Sequence, residues 1–372
     1  MADLKDSIIS WYIRTIVIPG RELTNNPGFI CEKMGEGDAY LREIAFPSFI
    51  GIELENNLHA EELYRIGKKF GWIYAKNSAV PTIDKISKSE FMNTTHLLVK
   101  YMESISFAQE MNEKIQYTDK ICEIRMKNTL ICSASGGGYL MEVGGISGIW
   151  AYLLQDPTVE GVQPKCQGRG DEECEVIFAP LVTLIQKGYT PLRCTEMENL
   201  DIDAAYREFN KIKITKWAKN SLRDLINSKF FQYKNGLITY NNERFFLCES
   251  SFMYILEKEL KNVDNGLEVL WKISFDFGKK LVESSGKQDP CKFVMDFFSA
   301  IGFGDILAIT KNGKYNISLN YVPWTKLADD ISFVMLRGML SGVISGFVNK
   351  KIQLHNIEKD EHNGYLALIL SE

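Results

Sequence analysis

Two apolar segments of this chain carry glycine at every fourth residue, and that spacing restricts the fold more than any other feature. The first reads Gly144-Gly145-Ile146-Ser147-Gly148-Ile149 and runs on through Trp150-Ala151-Tyr152-Leu153-Leu154. The second reads Gly338-Met339-Leu340-Ser341-Gly342-Val343 and reaches Gly346. Glycine inside a helix is about 1 kcal/mol less favourable than alanine, so glycines at i and i+4, or at i, i+4 and i+8, need a compensating contact. A helical face without side chains lets another backbone approach closely. Either the helix lies tightly on its sheet or on the matching helix of another copy, or the face is left open for a ligand to lie against the backbone.

The surroundings of these segments repeat. Leu63–Trp72 and Leu270–Lys280 are amphipathic helices with similar apolar spacing. Strand-like runs precede them, Phe29–Phe49 and Leu237–Phe252. Helical stretches follow, Lys88–Met111 and Pro290–Ile301, then strand-rich stretches, Lys114–Cys132 and Asp305–Tyr321. Each glycine segment runs into a closing pair of strands ending at Phe178 or Leu370. At 372 residues the chain is too long for one ordinary core. The pattern predicts an α+β protein of two diverged copies: residues 1–180, a helical connector over 181–229, and residues 230–372.

The connector is locally basic (Arg207, Lys211, Lys213, Lys216, Lys219, Arg223, Lys229). It has no helix-turn-helix pattern with its own apolar core, and a net charge of −5 gives no general attraction to nucleic acid. A solvated helix face is the expectation, without a nucleic-acid partner. Hydrophobic content of 45% and charged content of 24% are those of a globular protein. Met1–Asp6 lacks a basic region followed by an apolar run, so no secretory signal is read. Ile331–Val348 reaches the lower length for a membrane span, but Arg337 and three glycines make it a buried helix instead. Eight cysteines scattered without a secretory signal read as reduced thiols of a cytoplasmic protein.

The most specific segment is Val159-Glu160-Gly161-Val162-Gln163-Pro164-Lys165-Cys166-Gln167-Gly168-Arg169-Gly170-Asp171-Glu172-Glu173-Cys174-Glu175-Val176-Ile177-Phe178. It reads as a strand, a tight glycine-rich turn and a returning strand. Following the Gly/Ser helix, it resembles the C-terminal signature of the 4-vinyl reductase domain family, over roughly residues 20–180 and more weakly over 230–372. The resemblance implies an antiparallel sheet with helices packed on one face in each unit, a fold similar to that of transport-particle subunits and of haem-type nitric-oxide sensors. It also implies a small apolar or aromatic ligand, pairing as a dimer or with a protein partner, and, in pigment-biosynthesis relatives, vinyl-group reduction.

Zinc-binding members use a cysteine before the Gly/Ser helix, a glutamate three residues before the hairpin, and both hairpin cysteines. Cys166 and Cys174 match the last two positions, whereas the first falls near Tyr139 and the glutamate position holds Gln163. Cys132 or Glu160 completes the set only if the backbone brings it in. The alternatives are buried thiols, or a Cys166–Cys174 redox pair with Cα atoms within about 7 Å. The second copy has Glu361, His362 and Tyr365 around its hairpin and is expected to be metal-free.

His96, on a helix, is the one histidine with a plausible inward face for haem, though a lone helical histidine is more often structural. Ser133–Gly138 reads as a flexible turn without a P-loop pattern, and Ser147 is not in a Gly-x-Ser-x-Gly elbow. No catalytic triad or carboxylate pair stands out at local spacing. Trp72, Trp150 and Tyr152, with the faces of Gly144 and Gly148, form the candidate lining of an apolar site. The resulting expectation is a non-catalytic sensor or carrier of a small apolar molecule. A scaffold with a filled core is the alternative, followed by a reductase or accessory factor dependent on a partner, since no dinucleotide fingerprint is present.

Overall fold

The computed structural model describes residues 26–33, 40–78, 80–104, 107–129, 131–132, 138–197, 199–200, 215–234, 237–283, 289–327, 330–362 and 365–372. The chain is α+β, with all its strand pairs antiparallel among the described residues. Contacts divide it into two compact units, but not at residue 180. Unit one holds Gly51–Asp201 with the short piece Lys234–Leu237, where strand Gln232–Lys234 ends and strand Leu237–Tyr240 begins, whereas unit two gathers Pro19–Ile50, Ile202–Tyr233 and Ile238–Glu372. The strand run near the start of the chain therefore clusters with the second unit.

That run forms β1 (Ile30–Lys33) and β2 (Tyr40–Pro47), followed by helix α1 (Ser48–Asn57), within which unit one begins. Unit one continues with α2 (Ala60–Asn77), α3 (Lys88–Ser104), β3 (Glu110–Gln116), β4 (Ile121–Lys127), α4 (Leu140–Leu154), β5 (Val159–Lys165), β6 (Cys174–Pro180) and the short α5 (Leu181–Gln186). Its sheet has the order β3-β4-β6-β5. Acidic Glu61 and Glu62 in the first turn of α2, and Lys76 in its last, complement the helix dipole.

Helix α3 is shorter than its periodicity predicts. Glu103 accepts the Met111 amide at 2.9 Å and Lys100 Nζ donates to the Met111 carbonyl at 2.7 Å, which ties the chain into β3. From there burial alternates, with Met111 inside and Glu110 and Asn112 outside, as one-sided strands require.

The glycine face of α4 lies on a helix of its own unit, α2, rather than on the sheet or on another copy. A Cβ at Gly144 would strike the Tyr64 carbonyl, and one at Gly148 the Lys68 carbonyl. The relation is mutual, because a Cβ at Gly67 or Gly71 would strike the carbonyls of Met141 or Gly145. The glycine penalty is offset here by backbone contact along two helices.

Unit two comprises β1, β2, α6 (Leu222–Asn227), β7 (Gln232–Lys234), β8 (Leu237–Tyr240), β9 (Glu243–Glu249), α7 (Ser251–Leu260), α8 (Gly266–Val282), α9 (Pro290–Ala300), β10 (Asp305–Lys311), β11 (Lys314–Asn320), α10 (Val334–Val348), β12 (His355–His362) and β13 (Tyr365–Ser371). One sheet has the order β1-β2-β9-β8-β7 and the other β10-β11-β13-β12. The second repeats the first–second–fourth–third order of the unit-one sheet. Helices α8 and α10 make a second glycine-lined pair, in which Gly342 meets the Phe275 carbonyl and Gly278 the Met339 carbonyl. Helix α10 starts at Val334, where Glu257 accepts the amides of Ser332 (2.6 Å) and Val334 (2.8 Å). No helix among the described residues is long and apolar enough to cross a membrane. Arg337 on α10 donates to the Ser332 carbonyl at 3.1 Å.

Part of the basic connector, including Arg207, Lys211 and Lys213, lies outside the described residues. In the rest, Lys216, Lys219 and Lys229 are exposed. Buried Asp305 gathers the amides of Lys216, Trp217 and Ala218 at 2.7–2.8 Å. Charge-assisted hydrogen bonds of this kind fix the course of an otherwise irregular segment.

Candidate metal centre

The hairpin between β5 and β6 turns through a single 3-10 turn, Gln167–Arg169, and Gly170 at φ 97°. Asp171 accepts the Cys166 amide at 2.8 Å, and the Cys166 carbonyl accepts the amides of Arg169 (2.9 Å) and Asp171 (3.2 Å). These bonds fold the turn inward and place Cys166 opposite Cys174 at the start of β6. The chain leaving β4 adds a third thiol, Cys132. The sulfurs of Cys132, Cys166 and Cys174 all lie within 4.8 Å of one another, and all three residues are fully buried.

Polar neighbours converge on these sulfurs. The Gln167 amide donates to Cys174 Sγ at 3.3 Å, and Thr129 Oγ1 lies 3.7 Å from it. Gln163 Nε2 is 3.3 Å from Cys132 Sγ, while Gln163 Oε1 accepts the Tyr139 amide at 3.4 Å. A hydrogen bond from Cys132 lowers the Cys174 pKa to about 6, with help from the Gln167 amide. The same bond raises that of Cys132, together with burial and the nearby Glu142 carboxylate.

This donor set fits a zinc ion. Zinc–thiolate bonds of about 2.3 Å in a tetrahedron put sulfurs about 3.8 Å apart, so the three need close by no more than about 1 Å. Cys132, Cys166 and Cys174 would be the ligands, while the Gln163 carboxamide turns its Nε2 toward Cys132 and its oxygen toward the Tyr139 amide. Of the two substitutes considered from sequence, the backbone brings in Cys132 and not Glu160. Tyr139, the residue preceding α4, meets Gln163 through its backbone amide and is not among the clustered ligand residues.

Glu160 belongs to a different cluster. Its Oε2 pairs with Lys68 Nζ at 2.7 Å, with both side chains fully buried, and accepts the Tyr64 hydroxyl at 2.7 Å. Its Oε1 accepts the Cys194 amide at 2.9 Å. Tyr64 Oη also lies 3.0 Å from Ser147 Oγ and accepts the Gly161 amide at 2.8 Å, and Lys68 donates to the Pro157 carbonyl at 3.1 Å. Burial raises the pKa of Glu160 and lowers that of Lys68, while each partner opposes the shift of the other. The 2.7 Å contact and three donors on one carboxylate (Lys68, Tyr64 and the Cys194 amide) work against those burial shifts. Sequence reading missed this cluster. The available signal was Lys68 on the apolar face of its helix, one turn from Tyr64.

The candidate apolar lining is changed by the packing. The faces of Gly144 and Gly148 are filled by the α2 backbone, so a ligand cannot lie against them. Trp150 is buried, donates to the Lys120 carbonyl at 3.1 Å and packs on Phe91 at 5.5 Å. Trp72 and Tyr152 meet edge to face at 5.4 Å, both half-buried. His96 Nδ1 is engaged by Glu113 at 2.7 Å, a satisfied helical histidine. Ser133–Gly137, and the side chains of Glu361, His362 and Tyr365, lie outside the described residues.

The metal centre abuts the start of α4, where Glu55 of α1 accepts the Met141 amide at 2.9 Å. Burial raises the Glu55 pKa to about 7, against these backbone hydrogen bonds. Folded Glu55 therefore holds a proton that the unfolded chain has lost between pH 4.5 and about 7. Its contribution is complete below that window and disappears as pH rises through it. In urea titrations at pH 5 and pH 8, Glu55→Gln should remove up to about 3 kcal/mol of the wild-type decline. An unchanged decline in the variant would assign it to other carboxylates.

No protein-family model matches this chain and no curated protein matches it. The likeness to the 4-vinyl reductase domain therefore rests on the Gly/Ser helix and the cysteine hairpin themselves.

Proposed function

We propose that this chain is a non-catalytic binding protein, built from two diverged copies of a 4-vinyl-reductase-like unit, whose first unit is pinned by a structural zinc ion. The convergence of three buried sulfurs within 4.8 Å carries the reading. Structural zinc sites are closed by protein ligands, whereas catalytic ones keep a position open to water. The three sulfurs here are fully buried, which keeps bulk water from the centre and suits the closed kind. The matching strand order of the two four-stranded sheets and the glycine-lined helix pair in each unit support the duplication. A small apolar molecule is the ligand in this reading. Assembly with a protein partner is the second reading, favoured by the filled glycine faces of α4.

The test is metal analysis of the full chain purified without chelator. About one zinc per chain is expected, falling at least tenfold in Cys174→Ser and Cys132→Ser while Cys248→Ser, which is not one of the three clustered thiols, keeps its metal. Metal-free wild-type protein that takes up no zinc on titration would overturn the reading. Native mass spectrometry then separates the ligand reading, which requires an extractable apolar molecule, from assembly, which requires a partner chain.

A further inference from the structure

Unit two contains a pocket of about 380 Å³ between α6 and α9, lined by Leu225, Phe230, Asp289, Lys292, Phe293 and Asp296. Four of these residues, 289, 292, 293 and 296, recur at helical spacing and present one face of α9 and its N-cap. The aromatic walls are braced from behind. Phe230 stacks on Tyr240 at 4.7 Å and Phe293 on Phe297 at 5.3 Å, and the two wall rings stand 6.3 Å apart at 50°.

The charges at the mouth do not cancel. Asp296 is committed, pairing with Lys292 through Oδ2 and accepting from Asn220 at 3.1 Å through Oδ1. Asp289 uses Oδ1 to cap the Cys291 amide at 2.9 Å, which leaves Oδ2 as an acceptor beside the aromatic walls. Two carboxylates and one ammonium give the lining a net charge of −1. Rings attract cations over their faces, and an adjacent carboxylate adds to the attraction. The same charge repels anions, and the apolar walls suit a hydrocarbon body but not a hydrated metal ion.

We propose that this pocket binds a small organic cation, an ammonium group on an aryl or alkyl body, with the cationic head at Asp289 and the body packed against the surface that Phe230, Phe293 and Leu225 form. It is independent of the zinc reading, since it lies in the other unit and uses none of its residues.

Isothermal titration of the full chain with 2-phenylethylammonium is the test, with 2-phenylethanol and phenylacetate as neutral and anionic counterparts of the same body. The cation should bind saturably at one site, the alcohol at least about tenfold more weakly, and the anion not measurably. Asp289→Asn retains an N-cap residue of equal quality, so α9 stays intact while cation affinity falls about tenfold. Phe230→Leu should weaken the cation about fivefold, with an unchanged circular dichroism spectrum as evidence of folding. No saturation by the cation at 10 mM (roughly the weakest affinity such a contact gives), equal binding of the alcohol, or an unaltered Asp289→Asn isotherm would each overturn the proposal.

Discussion

Gly71→Ala is expected to destabilise unit one by at least about 3 kcal/mol, although alanine is the better helix former by about 1 kcal/mol. The reversal follows from what the added methyl meets. It would sit against the carbonyl oxygen, carbonyl carbon and Cα of Gly145, all main-chain atoms that no rotamer change can move aside. Relief requires the two helices to separate, which opens the contact along Gly67, Gly144 and Gly148 as well. Gly145→Ala supplies the control, because its methyl finds nothing nearer than the Gly67 carbonyl at 3.8 Å. That variant should keep or slightly raise the denaturation midpoint. Gly342→Ala, which collides with the Phe275 carbonyl, should behave in unit two as Gly71→Ala does in unit one. Equal midpoints for Gly71→Ala and Gly145→Ala in guanidinium titrations would refute the packing.

The second large effect is expected at Lys68. Lys68→Met leaves the Glu160 carboxylate fully buried with its hydroxyl and amide donors but without its cation. Removing one partner of a buried pair costs about 3–5 kcal/mol, because the remaining charge is stranded. Two further results distinguish this from simple loss of packing. Lys68→Met with Glu160→Gln should be more stable than Lys68→Met alone, since the Gln carbonyl can still accept from the Cys194 amide while its NH2 donates to the Tyr64 hydroxyl oxygen and no charge is left buried. The Lys68→Met single variant should also regain stability as pH is lowered, because a proton on Glu160 then removes the stranded charge. Additive effects of the two substitutions, with no pH dependence, would refute the account.

How much of this was legible in the sequence depends on how local the determinant was. The glycine helices were legible because a helical glycine repeat is unfavourable by itself. Their partners carried the same signal, Gly67 and Gly71 in one helix and Ser274 and Gly278 in the other. Spacing says that a backbone approaches without saying whose, and the answer, a neighbouring helix of the same unit, is a property of tertiary packing. The hairpin cysteines were legible from their turn chemistry. Cys132 could be named but not placed, because the segment that carries it has no periodicity to orient it. The exclusion of Glu160 was more accessible. Glu160 and Gln163 are an odd number of positions apart, and regular strand alternation predicts opposite faces for such a pair, although the β5–β6 register shifts between Val162 and Lys165. The unit boundaries were the least legible feature, because register between distant strands leaves no mark in either strand alone.

The pairing of β2 with β9 has a consequence for how this protein comes into being. Ile44 faces Cys248 across that ladder, about 200 residues later in the chain. A ribosome adding roughly 5–20 residues per second needs some tens of seconds to deliver the second strand after the first has emerged. Through that interval β2, whose Ile44, Ala45 and Phe46 are fully buried in the finished sheet, has no central partner. The intervening Gly51–Asp201 segment holds most of unit one, so its synthesis separates the two strands. Exposed β-forming apolar segments are sites for aggregation. Nascent chains halted before residue 243 should therefore engage hydrophobic-strand chaperones through the segment around Ile44, and chains released after residue 249 should not.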